Sequence, residues 1–298
     1  MDMGGIAEGD AAEVPLTGGN VSASVVRVGA TVRKPASEST AAVEALLSHL
    51  GAVGFTGAPQ ALGRDRRGRL MLEYVPGTMA DAMPPMTLPE LTRVGRLIRE
   101  LHDAVASFVP PADAAWDVVI PPDREELICH HDLAPWNLVR QVARGGVCVG
   151  DGDGEKEAGG DGDGDGGGMG FGADAGSSGE RWVFIDWDGA GPGSREWDLA
   201  YAAHGFVPLA PDGDPLLDAP RLRALVDGYG LDERQRELLP ELIAGHTRGM
   251  YGLLLNGRDT GAQPWARLWD EGHGEYWRSA AAYIEAHLPT WRSALMLT

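Results

Sequence analysis

The sequence predicts an α+β fold in two lobes, with a small β-rich N-terminal lobe and a larger, mostly helical C-terminal lobe. Short strand patterns bounded by glycine and proline lie before residue 76, and helical periodicity dominates after it. Between these two regions the chain has Pro76-Gly77, which makes a natural hinge. With 298 residues, of which 43% are hydrophobic and 23% charged, the chain is long enough to bury a sizeable core.

Composition suggests where the lobes begin and end. We expect a disordered segment at 1–14, an N-terminal lobe at 15–76 and a C-terminal lobe at 77–298. Residues 144–180 are dominated by glycine and aspartate and contain hardly any side chain that could bury apolar area. We therefore predict that 144–180 is a disordered insertion within the C-terminal lobe.

The first strands of the N-terminal lobe are predicted at 21–28 and 30–33, as an antiparallel pair that turns at Gly29. The loop ahead of them contains Gly19 and Asn20, whose backbone N–H groups could approach a phosphate closely. An ordinary hairpin turn explains these two residues as well. We favour phosphate contact because of the motifs that follow downstream.

A phosphate-binding cation is predicted at the end of the second strand, where Arg33 and Lys34 are adjacent. Alternate strand residues face opposite sides, so the register decides which one points inward. We favour Arg33, with Lys34 in reserve, and two solvated strand-end charges are the alternative. The amphipathic helix predicted at Thr40–Ala52 carries Glu44, which could pair with that cation or lie on the surface.

A further strand at 70–75 leads into the hinge, where the backbone near Glu73 and Val75 could hydrogen-bond to a nucleotide base. Most of the remaining chain has helical patterns. The residues Thr87-Leu88-Pro89-Glu90 form a capping box that opens the first of these helices. Further helices are predicted from about 196, at 219–229, at 232–256 and at 264–287.

The most informative motif is His-His-Asp-Leu-Ala-Pro-Trp-Asn at 130–137. It contains a carboxylate at Asp132 and an amide oxygen at Asn137, and it follows a short apolar run. These groups are what a kinase needs to orient a hydroxyl group towards ATP and to hold its magnesium ion. An ordinary polar turn with a helix cap at Asp132 is the alternative interpretation.

A second carboxylate follows the strand Trp-Val-Phe-Ile and is Asp186. Magnesium prefers oxygen ligands and usually takes one or two carboxylates together with substrate phosphates, which suits Asn137 and Asp186. Asp188 is a second-ranked ligand, because a solvated turn residue is more common at such a position. The motifs together predict ATP-dependent phosphoryl transfer.

Charge restricts the possible partners. The net charge of −19 disfavours nucleic acid and anionic membranes, and it favours a cationic small molecule or simply solubility. Residues 150–180 alone contribute −8 of this net charge.

Asp and Gly alternate at 161–166 as at the start of an EF-hand, but Gly172 replaces the acid of the twelfth position, so no calcium site is expected. No secretory signal or membrane span is evident, and two cysteines are too few for a disulfide framework. We expect a cytoplasmic protein.

The chain resembles the aminoglycoside phosphotransferase family, from the small-molecule branch of the protein-kinase-like fold that also includes choline kinases. The resemblance is carried by Ile-Cys-His-His-Asp-Leu-Ala-Pro-Trp-Asn, followed by Phe-Ile-Asp-Trp-Asp-Gly-Ala-Gly-Pro-Gly and Trp-Asp-Leu-Ala. The resemblance extends from about residue 16 and implies a protein-kinase-like fold. It implies that Asp132 is the catalytic base and that Asn137 and Asp186 bind magnesium. It also implies structural roles for His130, which braces the loop, and Asp198, which hydrogen-bonds to it.

For the reaction, the resemblance implies Mg²⁺, ATP or GTP as phosphate donor, and an alcohol group of a small molecule as acceptor. The short spacing from Asp186 to Asp198 leaves no room for a long activation segment, so a protein substrate is not expected. Acidic residues that could receive an amine of the substrate are Asp270, Glu271 and Glu275, although surface charge is their more common role. A non-catalytic nucleotide- or ligand-binding regulatory module on the same fold is the alternative function.

Overall fold

The N-terminal lobe is a small antiparallel sheet with one helix. The computed structural model of the protein describes residues 12–16, 24–141 and 180–296. Within these ranges five strands pair in the order β1-β2-β3-β5-β4. The predicted turn at Gly29 lies between β2 and β3 and has a φ of 60°. The elements of this lobe are β1 (Val14–Pro15), β2 (Val26–Val28), β3 (Thr31–Lys34), α1 (Thr40–Ala52), β4 (Ala61–Arg64) and β5 (Leu70–Glu73).

The C-terminal lobe is mostly helical, which confirms the predicted α+β class. The helix predicted at 264–287 is interrupted, because Gly272 adopts a φ of 93° between α6 and α7. The elements of this lobe are β6 (Thr78–Met79), α2 (Leu88–Val105), β7 (Leu127–Cys129), β8 (Leu138–Gln141), β9 (Arg181–Phe184), β10 (Gly191–Gly193), α3 (Arg195–Phe206), α4 (Pro215–Tyr229), α5 (Glu233–Thr260), α6 (Trp265–Asp270), α7 (His273–Ala286) and α8 (Leu288–Met296).

The core of the C-terminal lobe depends on a close crossing of α2 and α4. A Cβ atom at Gly95 would collide with the backbone carbonyl of Leu225, and one at Gly228 with the carbonyl of Thr92. Glycine at both positions therefore lets the two backbones approach. Around this crossing the apolar stripe of α2, which the capping box predicts to begin near Thr87, is buried.

Two short pairings bring the predicted motifs together. Strand β10 pairs with β7, which leads into 130–137, and β8 pairs with β9, which leads into Asp186. The backbone N–H of Ile185 donates to the carbonyl of Asn137 over 2.8 Å. The residue after β9, Ile185, therefore lies beside the backbone of Asn137, although Asn137 and Ile185 are far apart in sequence.

Two residues at the edges of segments predicted to be disordered, Val14 and Glu180, make regular contacts in the structure. Val14 belongs to β1 and pairs with Arg27, whereas the sequence placed it in a disordered segment at 1–14. Glu180, predicted as the last residue of the insertion, has ion pairs with Arg93 at 2.8 Å and Arg140 at 3.3 Å. Residues 1–11 and 142–179 are outside the described residues. No helix in the described ranges has the length and apolarity needed to cross a membrane.

Candidate active site

Asp132 is held by hydrogen bonds to both of its carboxylate oxygens. The hydroxyl of Tyr201 donates to Oδ1 over 2.8 Å, and Nδ2 of Asn137 donates to Oδ2 over 2.8 Å. The same Nδ2 also donates to the backbone carbonyl of Asp132 over 3.0 Å. Burial raises the pKa of Asp132, and the hydrogen bonds from Tyr201 and Asn137 oppose that rise. The carboxylate is thus fixed in orientation and made more basic than an exposed aspartate.

Asn137 is buried and belongs to a short turn, Pro135–Asn137, that links the loop to β8. Because its amide nitrogen is directed at Asp132, its amide oxygen is directed elsewhere and can act as a metal ligand. The proline at the start of this turn fixes the backbone angle φ there.

Asp186 follows β9 in a left-handed conformation, with a φ of 62°. Non-glycine residues seldom adopt this conformation, so the surrounding structure must enforce it. Its Oδ1 accepts a hydrogen bond from Nζ of Lys34 over 2.7 Å, and Oδ2 of Asp188 lies 2.8 Å from the same Nζ. Burial alone would lower the pKa of Lys34, but Asp186 and Asp188 raise it overall. The ammonium group is therefore charged.

The two candidate cations, of which Arg33 is the favoured one, lie in different surroundings on β3. Lys34 faces Asp186, whereas the guanidinium of Arg33 donates to the hydroxyl of Thr31 and lies 3.8 Å from Asp65. Thr31 and Arg33 are two residues apart, so they share one face of the strand while Lys34 lies on the other. Sequence alone could not determine this one-residue register.

Glu44 pairs with an arginine of a neighbouring strand. Its carboxylate accepts a hydrogen bond from Nε of Arg64, on β4, over 2.8 Å. The candidate partners of Lys34 are instead the two aspartates after β9. Asp188, the second-ranked ligand of the sequence analysis, thus joins Asn137 and Asp186 as a source of oxygen atoms.

The predicted nucleotide-base contacts lie where the two lobes meet. The side chain of Glu73 pairs with Nη1 of Arg181 over 2.6 Å, which ties β5 to β9. Val75 is buried against Val139 and Val183. Gly19 and Asn20, the predicted phosphate-contacting residues, lie outside the described part of the chain.

Asp198 fastens the loop that carries Asp132. Its Oδ1 accepts the backbone N–H of His131 over 2.9 Å, and its Oδ2 accepts that of His130 over 3.1 Å. Nε2 of His102 lies 3.0 Å from Oδ2 in the same fully buried environment. Burial alone would raise the pKa of Asp198, but the hydrogen bond from His102 holds that pKa well below its usual range.

His130 is fully buried and connects the two motifs. Its Nε2 is 3.1 Å from the carbonyl of Ile185, and its Nδ1 accepts the backbone N–H of Asp132 over 3.2 Å. Burial lowers the pKa of His130, so the ring is neutral and donates through Nε2. The geometry of His130 and Asp198 is what a structural brace requires.

Sequence reasoning missed two residues of this site. Tyr201 lies three residues after Asp198 on α3, and that helical spacing was the signal that both would face the loop. The second is His102, which bonds to Asp198 and, through Nδ1, to the hydroxyl of Tyr229 over 2.8 Å. No local pattern marks His102, because its partners come from distant helices.

The acids proposed to receive an amine are on the surface. Glu271 pairs with Arg267 at 2.9 Å, and Glu275 pairs with Arg278 at 2.6 Å. Asp270 is exposed at the end of α6. None of the three has a hydrogen bond to Asp132 or Tyr201 among those of the described residues.

Comparison with known proteins gives one relative and several similar folds. No family model matches the chain. It is 31% identical over 237 residues to the trifolitoxin immunity protein of Rhizobium leguminosarum bv. trifolii, an alignment that covers 75% of this chain and 76% of the relative.

The fold is similar to those of solved small-molecule kinases. A microcompartment-associated aminopropanol kinase has a TM-score of 0.55 at 14% identity, covering 92% of this chain and 90% of the other. A choline/ethanolamine kinase family protein from Mesorhizobium loti has a TM-score of 0.52 at 14% identity. The match covers 90% of this chain and 89% of the other. An amicoumacin kinase in complex with AMP-PNP and Ca²⁺ has a TM-score of 0.53 at 12% identity. The match covers 89% of this chain and 81% of the other. At these identities the likeness is one of fold.

Proposed function

We propose that this protein, which belongs to the family of the trifolitoxin immunity protein, transfers the γ-phosphate of ATP or GTP to a hydroxyl group of a small molecule. Its protein-kinase-like phosphotransferase fold supports the proposal. The observation that carries this proposal is the convergence of Asp132, Asn137 and Asp186 with Lys34. These residues come from three separate segments, and they combine a base, oxygen donors and a cation at one place. That combination is what phosphoryl transfer requires.

The oxygen donors fit magnesium, which prefers carboxylate and amide oxygens over nitrogen or sulfur. Asn137 and Asp186 would hold the ion, with Asp188 as a further source of oxygen. When bound, the ion would neutralise charge on the transferring phosphates. Lys34 already lies against both aspartates, so it is positioned to bind phosphate oxygens beside them.

Asp132 acts as the base in this proposal. Its carboxylate would accept the proton of the acceptor hydroxyl as the oxygen–phosphorus bond forms and the bond to the β-phosphate breaks. Tyr201 and Asn137 keep the carboxylate in one orientation, which aligns the hydroxyl for attack. Asp198 and His130 hold the backbone of the loop beneath it.

A second function is favoured by one observation, the name of the relative. The trifolitoxin immunity protein is named for protection and not for catalysis, and protection can come from binding alone. On that account the fold would serve as a non-catalytic nucleotide- or ligand-binding module. Such a module would have no need to hold a carboxylate in position at Asp132.

The test begins with phosphate transfer. The protein is incubated with ATP or GTP, Mg²⁺ and a panel of aminoglycosides, macrolides, amino alcohols, sugars and peptides that carry hydroxyl groups, and products with an added phosphoryl group are detected by mass spectrometry. For an acceptor so found, we expect Asp132→Asn to lower kcat by roughly 10²- to 10⁴-fold, because the base is lost. Binding of a non-hydrolysable ATP analogue with Mg²⁺, measured by calorimetry, should change little.

The matched control is Asp103→Asn. Asp103 is an exposed aspartate whose side chain pairs with Arg99 and Arg195. We expect wild-type turnover for this variant. Wild-type turnover for Asp132→Asn would refute the assignment of the base. Binding of nucleotide with no product from the whole panel would favour the binding module.

A further inference from the structure

Two aromatic side chains are unusually exposed. All nine tryptophans and all six tyrosines of the chain lie in the described residues. Trp136 is the one exposed tryptophan, at 42%, and Tyr276 is the one exposed tyrosine, at 43%. The other rings of these two types are buried or partly buried, so these two are the most exposed of their kind. Large exposed rings often mark binding surfaces.

Trp136 lies within the loop of the proposed active site. It is the residue before Asn137, and its neighbours Leu133 and Ala134 are fully buried. Its ring meets that of Tyr201 edge-on, with 6.5 Å between centroids and an interplanar angle of 76°. The hydroxyl of Tyr201 in turn touches Asp132. An acceptor whose hydroxyl reached Asp132 would therefore pass close to the indole.

Tyr276, on α7, meets the same helix one turn further along. Its ring centroid lies 6.0 Å from that of His204, and its hydroxyl is 3.3 Å from Nε2 of His204. Tyr201 and His204 are three residues apart on α3 and are neighbours on its surface. Trp136 and Tyr276 therefore contact one face of α3, on which Tyr201 reaches Asp132.

The charges on this face are few. His204 is buried, and burial lowers its pKa to about 4, so the ring is neutral near pH 7. Its Nδ1 is buried and has no hydrogen-bond partner among the described residues. Burial raises the pKa of Tyr276, and the nearby carboxylate of Asp212 raises it further. Glu275 on the same helix is taken up by Arg278.

From these observations we propose that Trp136 and Tyr276 form the acceptor subsite, and that the subsite takes a hydroxyl compound with an aromatic, uncharged body. This inference rests on the proposed phosphotransferase function, because that function makes Asp132 the point to which the acceptor hydroxyl is directed. A ring stacked on Trp136 would place a hydroxyl beside Asp132. The paired surface acids Glu271 and Glu275 offer no comparable site for a polyamine.

Binding without turnover provides the test. Dissociation constants are measured by NMR titration of the full chain, with Mg²⁺ and a non-hydrolysable ATP analogue present, for four probes: tryptophol, benzyl alcohol, cyclohexylmethanol and ethanolamine. Benzyl alcohol and cyclohexylmethanol differ only in aromaticity. We expect each aromatic alcohol to bind at least about threefold more tightly than cyclohexylmethanol, and ethanolamine to bind most weakly.

Variants then locate the binding site. Trp136→Ala should weaken binding of tryptophol by about threefold to tenfold, and Trp136→Phe should restore most of it because an aromatic face is retained. The control Leu217→Ala removes an exposed apolar side chain of α4 and should leave all four constants unchanged. Unchanged spectra outside the site show that each variant folds. Equal affinity for benzyl alcohol and cyclohexylmethanol, tightest binding of ethanolamine, or no effect of Trp136→Ala would each overturn the inference.

The outcomes separate this inference from the proposed function. Binding of aromatic alcohols at Trp136 with no phosphate transfer to any acceptor would support the subsite and refute the phosphotransferase. Transfer of phosphate to aliphatic amino alcohols, with no preference for aromatic ones, would support the phosphotransferase and refute the subsite.

Discussion

The two sides of the candidate site are built from different chemistry. On the phosphate side, Lys34 lies against Asp186 and Asp188, so charged groups are paired at hydrogen-bond distance. On the acceptor side, Trp136 and Tyr276 present exposed rings and His204 is neutral. Under the proposed function, the phosphate side would bind the phosphates of the nucleotide together with the metal ion. The acceptor side is where substrates would be distinguished, through shape and stacking.

The two sides also differ in where their residues come from. The phosphate side uses β3 and the residues that follow β9, in contiguous segments with recognisable motifs. The acceptor side combines one residue of the loop with residues of α3 and α7. Of the residues on the acceptor side, Trp136 belongs to the motif at 130–137, whereas Tyr201, His204 and Tyr276 lie outside the motifs. Asp132 lies at the boundary and is held from both sides, by Asn137 and by Tyr201.

When the two sides are compared, the larger effect is expected on the phosphate side, from Lys34→Met. Loss of the ammonium removes the cation beside Asp186, and we expect kcat/KM for the nucleotide to fall by roughly 10²- to 10³-fold, as for loss of a single charge-stabilising donor. The adjacent Arg33→Met is the matched comparison, because Arg33 faces Thr31 and Asp65 instead. It should lower kcat/KM by less than about threefold.

Steady-state kinetics with varied nucleotide and a fixed acceptor measures both variants. Circular dichroism and a urea titration establish that each is folded, since both side chains are largely buried. A larger loss for Arg33→Met than for Lys34→Met, with both proteins folded, would mean that the register of β3 does not select the catalytic cation.

Much of the phosphate side could be predicted from the sequence. Helix α1 was predicted with the bounds that the structure gives, and the positions of Asp132, Asn137 and Asp186 followed from their motifs. The inward cation could not be predicted, because a shift of one residue in β3 exchanges Arg33 for Lys34. The environment of a side chain in a short strand is set by its partner strands, which a single sequence does not specify.

The acceptor side could not be predicted to the same extent. Helical spacing related Tyr201 to Asp198, but nothing in the sequence placed Tyr276 against His204, which lie on helices far apart in the chain. The acids Glu271 and Glu275 were considered for the substrate because their charge was visible, whereas their arginine partners became evident only in three dimensions. Exposure was the property that distinguished Trp136 from the other tryptophans, and exposure depends on the fold.

A moderate effect is expected where the two sides meet, from Tyr201→Phe. The substitution keeps the ring that packs against Trp136 and removes the hydroxyl that donates to Oδ1 of Asp132. A hydrogen bond to a charged group contributes about 1.5 kcal/mol or more, so we expect kcat to fall roughly tenfold. KM for the nucleotide should stay within about twofold, because Lys34 and Asp186 are unchanged.

The split between kcat and KM is the informative measurement for Tyr201→Phe. Asn137 still holds Oδ2 of Asp132, so the base is retained in the variant but can rotate about its bond to the backbone. If KM for the nucleotide rose while kcat did not change, Tyr201 would serve the phosphate side and the division of the site at Asp132 would be wrong.

The smallest effect is expected on the acceptor side and concerns stability as a function of pH. Burial lowers the pKa of His204 from 6.5 to about 4. As pH falls below about 6.5 the unfolded chain takes up a proton at His204 that the folded protein does not, so stability decreases with falling pH. Between about pH 7.5 and about pH 6 the titration of His204 should lower the free energy of unfolding by roughly 1 kcal/mol. In His204→Gln, which cannot titrate, that part of the decrease should be absent.

Urea midpoints of the wild type and His204→Gln at the two pH values measure this difference. The comparison uses the change with pH within each protein, so a constant destabilisation by the substitution cancels. His246, whose pKa burial lowers to about 3, titrates in the same direction and stays in both proteins as an internal reference. A pH dependence in the variant as steep as that of the wild type would mean that His204 is accessible to protons. The acceptor side would then be able to carry a positive charge at His204. The two sides would no longer differ in that one is charged and the other neutral.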